Sequence, residues 1–288
     1  MKHLLVLLVY LSWISLSSSE TICSNGFQLM KNGKCWGLVR QLKGYNEAEQ
    51  MCRFSNGAVV VQPQNSNQNN DLVAFLTNAN ISEIWMGLRC SSTNLTSCQW
   101  EDITHFGDYG DYTNFTSGSP NGKDTCFSFQ PSNLNQGNWV STPCDEKLRF
   151  VCELPTTTKD CNKRCNANYN NYCYNIYKTA KKLIDAEQFC EQQNGHLVTI
   201  HNYLEWRFVA QMYRDQGSYW IGGIMNPKNT IITWLDGIGE DFAVANMKKH
   251  DDGICVQFDV NGNSLGAGWI GKNCDGLKSF ICKLPAFC

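Results

Sequence analysis

The sequence predicts an α+β fold of two tandem, disulfide-stabilised domains, each with two helices packed on antiparallel sheets and a long ligand loop. The main observation is a series of cysteines and aromatic residues that occurs twice in the same order. In both copies a tryptophan stands five residues before the middle cysteine, and the middle and last cysteines are eight residues apart. The copies are Cys126, Trp139, Cys144, Phe150, Cys152 and Cys255, Trp269, Cys274, Phe280, Cys282. Repetition of spacing as well as composition indicates a duplicated domain.

The chain of 288 residues begins with a segment typical of a secretory signal peptide. Lys2 and His3 precede an apolar run over 4–16, and small residues follow, so residues 1–19 are predicted to be removed. The run is shorter than the ~20 apolar residues of a membrane helix, which predicts a secreted, extracellular protein with no membrane span. The predicted units are domain 1 over residues 20–154, a short polar linker over 155–160 and domain 2 over 161–288.

Sixteen cysteines and a formal net charge of −2 narrow the class of protein. In an oxidising compartment an even number of cysteines indicates a disulfide framework rather than zinc ligands or reactive thiols. The basic residues are scattered along the chain, which argues against a nucleic-acid-binding surface.

The first helix of each domain is predicted around a shared Ala-Glu-Gln-x-Cys segment. The two segments are 48–52 and 186–190. Asn46 with Glu49 has the spacing of a capping box, and Gly57 or Gly195 can supply the left-handed residue that ends the helix.

The remaining predicted elements follow in the same order in both halves. They are buried strands over 58–61 and 197–200, second helices that begin near Asn70 and Asn202, and strands over 84–88 and 219–223. Glu205 lies three residues after Asn202, as a cap partner does. Four tryptophans are predicted to be core residues: Trp85, Trp139, Trp220 and Trp269.

With the paired cysteines, these strands and the Trp-x-Asp elements at 100–102 and 234–236, the chain resembles the C-type lectin-like domain, twice over. It looks like the two-domain secreted members found in nematodes. The resemblance implies three disulfides in each domain: Cys23–Cys35, Cys52–Cys152 and Cys126–Cys144 in the first, and Cys161–Cys173, Cys190–Cys282 and Cys255–Cys274 in the second.

Four cysteines remain after these pairs. Cys90 and Cys98 lie across an expected hairpin and can pair with each other. Cys165 and Cys288 can pair with each other or with another chain, which would give a disulfide-linked dimer. We favour the bond between Cys165 and Cys288.

The resemblance also implies where a ligand would bind. Relatives that bind sugars hold a calcium ion with a Glu-Pro-Asn or Gln-Pro-Asp triplet, an acidic residue two before a cysteine, and a Trp-Asn-Asp triplet. Calcium needs six to eight hard oxygen ligands. In domain 1, Pro120, Asn121 and Asp124 match this pattern, whereas Ser119 and the triplet at 139–141 have lost carboxylates. At best a vestigial calcium and sugar site is expected there.

Domain 2 departs further from the pattern. Lys249 replaces the proline, Gly253 replaces the acidic residue, and the last triplet, at 269–271, is Trp-Ile-Gly. No calcium site is expected in this domain. The prediction for the whole chain is therefore no metal and no other cofactor.

Two tyrosines are further candidates for ligand binding. Tyr109 and Tyr112 lie in an aromatic, glycine-rich and acidic stretch over 105–115, typical of adaptable binding loops. They either stack on a ligand or pack the loop against its own domain.

Three sequons predict glycosylation in domain 1: Asn80, Asn94 and Asn114.

Catalytic motifs are weak. The Gly-x-Ser-x-Gly segment over 262–266, which contains Ser264, lacks the strand-turn-helix context of a hydrolase.

We predict a secreted protein that is not an enzyme and that recognises glycans with little or no calcium dependence, as in innate defence. The alternative is a protein-binding or structural module that has lost its sugar site. The expected partners are glycans or a protein ligand.

Overall fold

The computed structural model describes residues 20–24, 26–103, 112–132, 137–158, 165–212, 217–226, 231–238, 242, 252–260 and 268–286. The first half contains β1 (Thr21–Ile22), β2 (Gln28–Leu29), β3 (Lys34–Lys43), α1 (Tyr45–Phe54), β4 (Val59–Val60), α2 (Ser66–Asn78), β5 (Ile84–Cys90), a 3₁₀ turn (Leu95–Ser97), β6 (Cys98–Trp100), β7 (Cys126–Pro131), β8 (Gly137–Thr142), β9 (Leu148–Pro155) and β10 (Thr157–Thr158). The second contains β11 (Ala167–Tyr169), β12 (Tyr172–Lys181), α3 (Leu183–Glu191), β13 (His196–Leu197), α4 (Tyr203–Met212), β14 (Gly217–Met225), β15 (Ile232–Trp234), β16 (Cys255–Val260), β17 (Gly268–Lys272) and β18 (Lys278–Pro285).

The two halves form eight-stranded sheets with the same topology. The first has the order β2-β3-β9-β5-β7-β8, with β4 on β9 and β6 on β5, and the second has β11-β12-β18-β14-β16-β17, with β13 on β18 and β15 on β14. The sheets are mixed rather than wholly antiparallel, because β9 is antiparallel to β3 but parallel to β5, and β18 has the same relation to β12 and β14. The predicted α+β architecture of two similar domains is confirmed.

Buried tryptophans organise both cores. Trp85, Trp139, Trp220 and Trp269 are each 0% exposed. Trp85 Nε1 donates to the Lys43 carbonyl at 2.7 Å, and Trp220 Nε1 donates to the Lys181 carbonyl at 3.0 Å. These carbonyls end β3 and β12, so a tryptophan fixes the turn into the first helix of each domain at the same place.

The start of α1 differs from the prediction. The Gly44 N–H donates to Glu47 Oε2 at 3.2 Å, so the capping pair is Gly44 with Glu47 and not Asn46 with Glu49. Glu49 instead accepts from Arg53 at 2.9 Å, one turn further along the helix. The capping-box spacing occurs twice in succession here, and the earlier pair starts the helix.

The second helices are capped by asparagine side chains. Asn65 Oδ1 accepts from the Gln68 N–H at 3.0 Å, so α2 begins before Asn70, where the sequence predicted its start. In the second half, Asn202 Oδ1 accepts from the Glu205 N–H at 2.8 Å and α4 begins next to Asn202, as predicted.

Seven disulfides lie among the described residues. They are Cys23–Cys35, Cys52–Cys152, Cys90–Cys98, Cys126–Cys144, Cys165–Cys173, Cys190–Cys282 and Cys255–Cys274. Cys52–Cys152 closes a loop of 100 residues. In the chain-entropy model such a closure contributes roughly 4–5 kcal/mol to stability.

Two of the predicted pairs are wrong. Cys173 is bonded to Cys165 and not to Cys161, with the two Cα atoms 5.2 Å apart, so Cys165 is not bonded to Cys288. The reason is the hairpin of β11 and β12, in which Asn168 pairs with Cys173 and the chain before β11 turns back over β12. Cys161 and Cys288 lie outside the described residues.

The predicted linker is partly a strand. Thr157–Thr158 forms β10 and pairs antiparallel with β1, with Thr21 opposite Thr158 and Ile22 opposite Thr157. The first residues of domain 1 are therefore held by the segment that leads into domain 2.

The signal peptide predicted over 1–19 lies outside the described residues. Among those that are described, no helix is long and apolar enough to cross a membrane.

The two domains touch through α1 and α4. Arg207 of α4 is fully buried and donates to Glu101 Oε1 of domain 1 at 2.6 Å and to the Ala58 carbonyl. Gly57 has φ +74°, and a Cβ at this position would lie 2.6 Å from the Phe208 backbone nitrogen. The approach of the two domains therefore depends on a glycine and on a buried ion pair.

Candidate functional site

The candidate site of domain 1 is the end of the long loop between β6 and β7. The described part runs from Tyr112 into β7, and Tyr109 lies outside it. Ser119, Pro120, Asn121 and Asp124 stand together at the tip of the loop, beside β8. The sequence-predicted residues of the first triplet and the acidic position are therefore brought together.

Asn121 is occupied by its own loop. Its Oδ1 accepts from the Lys123 N–H at 2.9 Å and from the Asp124 N–H at 2.8 Å, and its Nδ2 donates to Asp124 Oδ2 at 2.8 Å. The amide oxygen that a calcium ion would need is used by two backbone N–H groups. Asp124, which supplies the carboxylate of this loop tip, accepts from the Asn121 amide.

Two serines stand where the family pattern has acidic or amide ligands. Ser119 Oγ accepts from the Ser141 N–H at 2.9 Å, and Ser141 Oγ accepts from the Asn121 N–H at 3.1 Å. These reciprocal bonds tie the loop tip to β8. Neutral hydrogen bonds between protein groups thus hold the loop tip against β8.

Tyr112 packs against its own domain. It is half-buried, its ring lies 5.7 Å from the ring of Trp139, and partial burial raises the pKa of its hydroxyl. Phe115 lies 5.1 Å from the same tryptophan and 5.4 Å from Phe127. Of the two readings of this stretch, packing against the domain is the one that the structure gives for Tyr112.

In domain 2 the acidic position is closed by the backbone. A Cβ on Gly253 would lie 2.4 Å from the Lys272 carbonyl oxygen and 2.6 Å from the Asn273 nitrogen, so no side chain fits there. The neighbouring Asp252 accepts from the Asn273 N–H at 3.0 Å. Ile270 and Gly271 of the last triplet lie in β17, and Lys249 falls outside the described residues.

The three sequons occupy different surroundings. Asn80 and Asn94 are exposed, at the end of α2 and at the start of the 3₁₀ turn. Asn114 is half-buried, its Nδ2 donates to the Gly137 carbonyl and its own carbonyl accepts from the Trp139 N–H at 2.9 Å. The nitrogen that would carry a sugar at Asn114 is therefore used inside the domain.

Within the described ranges, His, Cys, Asp and Glu side chains form one group of three that could hold a metal, and it is not at the loop tip. Glu187, Glu191 and His196 have ligand atoms within 4.8 Å of one another. The sequence interpretation missed this group. Its signal was two glutamates one helical turn apart, followed five residues later by a histidine.

Comparisons with known proteins agree with the shared topology of the two halves. The family model of the lectin C-type domain matches residues 41–154 and 179–284. The C-type lectin domain-containing protein 38 of Caenorhabditis elegans is 33% identical over 269 residues, which are 93% of this chain and 69% of that protein. Mouse lithostathine-2 is 30% identical over 143 residues, covering 46% of this chain and 80% of its own length.

Among solved structures, human lithostathine is similar with a TM-score of 0.40 and 19% identity. The match covers 46% of this chain and 99% of that structure.

Proposed function

The chain belongs to the C-type lectin domain family in both of its halves, and from this membership we propose that it is a secreted binding protein that recognises glycans with little or no dependence on calcium. Proteins of this family are generally binding proteins and not enzymes. We propose a role in innate defence for the same glycan recognition.

The observation that carries the proposal is the loop tip of domain 1, which its own hydrogen bonds hold. Ser119, Asn121 and Ser141 link the tip to β8 through neutral hydrogen bonds, so its shape needs no ion. Lys123 is exposed at this tip, beside the half-buried Asp124. Ammonium and carboxylate groups at one edge can form hydrogen bonds with sugar hydroxyls.

A second candidate function is protein recognition by the same fold. It is favoured by the packing of Tyr112, which lies against Trp139 and so offers less ring surface for stacking on a sugar. The backbone leaves no room for an acidic side chain at Gly253, which supports the expectation that domain 2 has no calcium-dependent sugar site. Domain 2 then contributes through another surface or through contacts with a protein.

A glycan array with the full secreted chain, run in calcium and again in chelator, tests the proposal. Binding is expected in both conditions, weakened at least threefold by Lys123→Ala and unchanged by Lys31→Ala, an exposed lysine away from the loop. Binding in calcium alone would contradict the proposal. Absence of binding in both conditions would favour the protein-recognition function.

The predicted lack of a calcium site can be measured separately. Without the carboxylate ligands of the family pattern, the dissociation constant of a calcium site is expected to be about 10⁻³ M or weaker. Submillimolar calcium is therefore expected to leave the melting temperature unchanged. A secreted hydrolase would need an activity that Ser264→Ala abolishes.

A further inference from the structure

We propose that domain 2 binds a zinc ion at the surface through Glu187, Glu191 and His196. Their ligand atoms lie within 4.8 Å of one another, and the set combines an imidazole nitrogen with carboxylate oxygens. This mixture of ligands is what zinc takes in proteins, commonly with three protein ligands and a water in the fourth position. The trio belongs to domain 2, whereas the loop tip proposed for glycan recognition belongs to domain 1, and the zinc proposal does not rest on glycan binding.

Helix α3 and strand β13 bring the three side chains together. Glu187 and Glu191 are four residues apart on α3, so they share one face of the helix. His196 is the first residue of β13, where it pairs with Lys283 of β18. The backbone of the histidine is thereby fixed by the sheet, and the two carboxylates approach it from the helix.

Glu187 is oriented before any metal arrives. It is 6% exposed, and its Oε2 accepts from the Leu197 N–H at 2.7 Å, which turns Oε1 toward His196 Nδ1 at 2.6 Å. Hydrogen bonds of this kind to a ligand's other oxygen hold metal-binding carboxylates in position. The close Glu187–His196 contact is the pair of atoms that a zinc ion would bridge.

The third ligand can move to complete the site. Atoms bound to one tetrahedral zinc ion lie about 3.4 Å apart, which follows from bond lengths near 2.1 Å. Glu187 and His196 need to separate slightly to reach this distance. Glu191 is exposed and ends α3, so its side chain can rotate toward the other two.

The other domain provides an internal comparison. Glu49 of α1 corresponds to Glu187, but Arg53 stands in the place of Glu191 and forms an ion pair with Glu49 at 2.9 Å. The first residue of β4 is Val59, which pairs with Glu153 of β9. It occupies the position that His196, the first residue of β13 and paired with Lys283, has in domain 2. The fold therefore does not require this trio, and only domain 2 has two carboxylates and an imidazole there.

Isothermal titration of the full chain with zinc, after chelator treatment and removal of any affinity tag, tests the site. One zinc per chain is expected, with the affinity reduced at least tenfold by Glu191→Arg, which restores the domain 1 arrangement, and by His196→Val. Glu146→Arg makes the same charge change at an exposed glutamate of domain 1 and is expected to leave zinc binding unchanged. Calcium is expected not to compete, because the trio offers too few hard oxygens.

NMR signals of the histidine rings provide a second readout, which is independent of the binding heat that the titration measures. Substoichiometric zinc is expected to shift the His196 ring signals before those of the other histidines. The proposal is overturned if wild-type protein binds no zinc, or if Glu191→Arg and His196→Val bind it as the wild type does. Circular dichroism of both variants confirms that they are folded, so that a loss of zinc is a loss of ligands.

Discussion

Replacing Arg207 with methionine is expected to lower the free energy of unfolding by about 2–3 kcal/mol at pH 8. The guanidinium is fully buried and lies 2.6 Å from Glu101 Oε1, whose side chain is 5% exposed. Methionine fills much of the same volume but leaves the Glu101 carboxylate without its buried counter-ion. The cost adds two contributions: lost hydrogen bonds of about 1–2 kcal/mol, and about 1.4 kcal/mol for each pKa unit between 7 and the working pH. The sum is larger than the value of a surface ion pair.

The cost is expected to fall at pH 5. Burial, the largest cause, raises the pKa of Glu101 to about 7 in spite of the opposing charge of Arg207. A carboxyl whose pKa is raised by folding contributes stability that is complete below its unfolded value of 4.5 and is lost as the pH rises through 7. Without Arg207 this pKa rises further, so at pH 5 Glu101 is neutral and the variant loses only hydrogen bonds and packing, about 1–2 kcal/mol.

Urea unfolding followed by tryptophan fluorescence, with the disulfides intact, measures both values. Adding Glu101→Gln to Arg207→Met is expected to recover most of the loss at pH 8, because the glutamine oxygen still accepts from the Val60 N–H. Arg40→Met, at an exposed arginine, is the matched control and should change stability by less than about 0.5 kcal/mol. Equal losses at the two pH values, or a loss below about 1 kcal/mol at pH 8, would show that the pair is not buried as described.

Three further results are expected. Peptide mapping of the secreted protein should find glycans at Asn80 and Asn94 but not at Asn114, whose amide N–H already donates to a carbonyl of β8; frequent occupancy of Asn114 would contradict this. Gly253→Asp should cost about 1–3 kcal/mol by overpacking and should not create calcium binding, so a melting temperature that rises with calcium would oppose the argument. Non-reducing digests should join Cys165 to the cysteine eight residues later, and Cys165→Ser should cost about 2–3 kcal/mol; a fragment that joins Cys165 to a second chain would be the opposite result.

Much of the fold could be predicted because duplicated spacing records it. The cysteine and tryptophan positions occur twice, so each copy supports the interpretation of the other. Cys165 shows the limit of this reasoning, because it has no counterpart in domain 1. Cys173 could pair with Cys161 by analogy of spacing, and only the β11–β12 hairpin shows that Cys165 is its partner.

The candidate site could be predicted in part. The loss of carboxylates at Ser119 and in the last triplet is visible in the sequence. That Ser119 and Ser141 bond to each other's segments is not, since it depends on two stretches that are about twenty residues apart and meet at β8. Tyr112 illustrates the same limit, because an aromatic residue in a loop has the same sequence signature whether it packs inward or faces a ligand.

The contact between domains could not be predicted at all. Arg207 and Glu101 are separated by 106 residues, and nothing in the local pattern of either residue distinguishes a buried charge from a solvated one. In domain 2 the residue that corresponds to Glu101 is Leu235. This difference between the two Trp-x-Asp elements gains a meaning only when the Arg207–Glu101 ion pair is known.

The close approach of the two domains at Gly57 affects how this protein can be engineered. An exchange of either half for a homologous one would have to keep three features: a glycine at position 57, an arginine on the helix of domain 2 and an acidic residue of domain 1 that pairs with it. A shortened protein that carries the first half alone would expose the Ala58 carbonyl and Glu101 to water, and its titration behaviour would no longer report on the intact chain. The two halves share one duplicated sequence pattern, but the Arg207–Glu101 pair and Gly57 now match each half to the other.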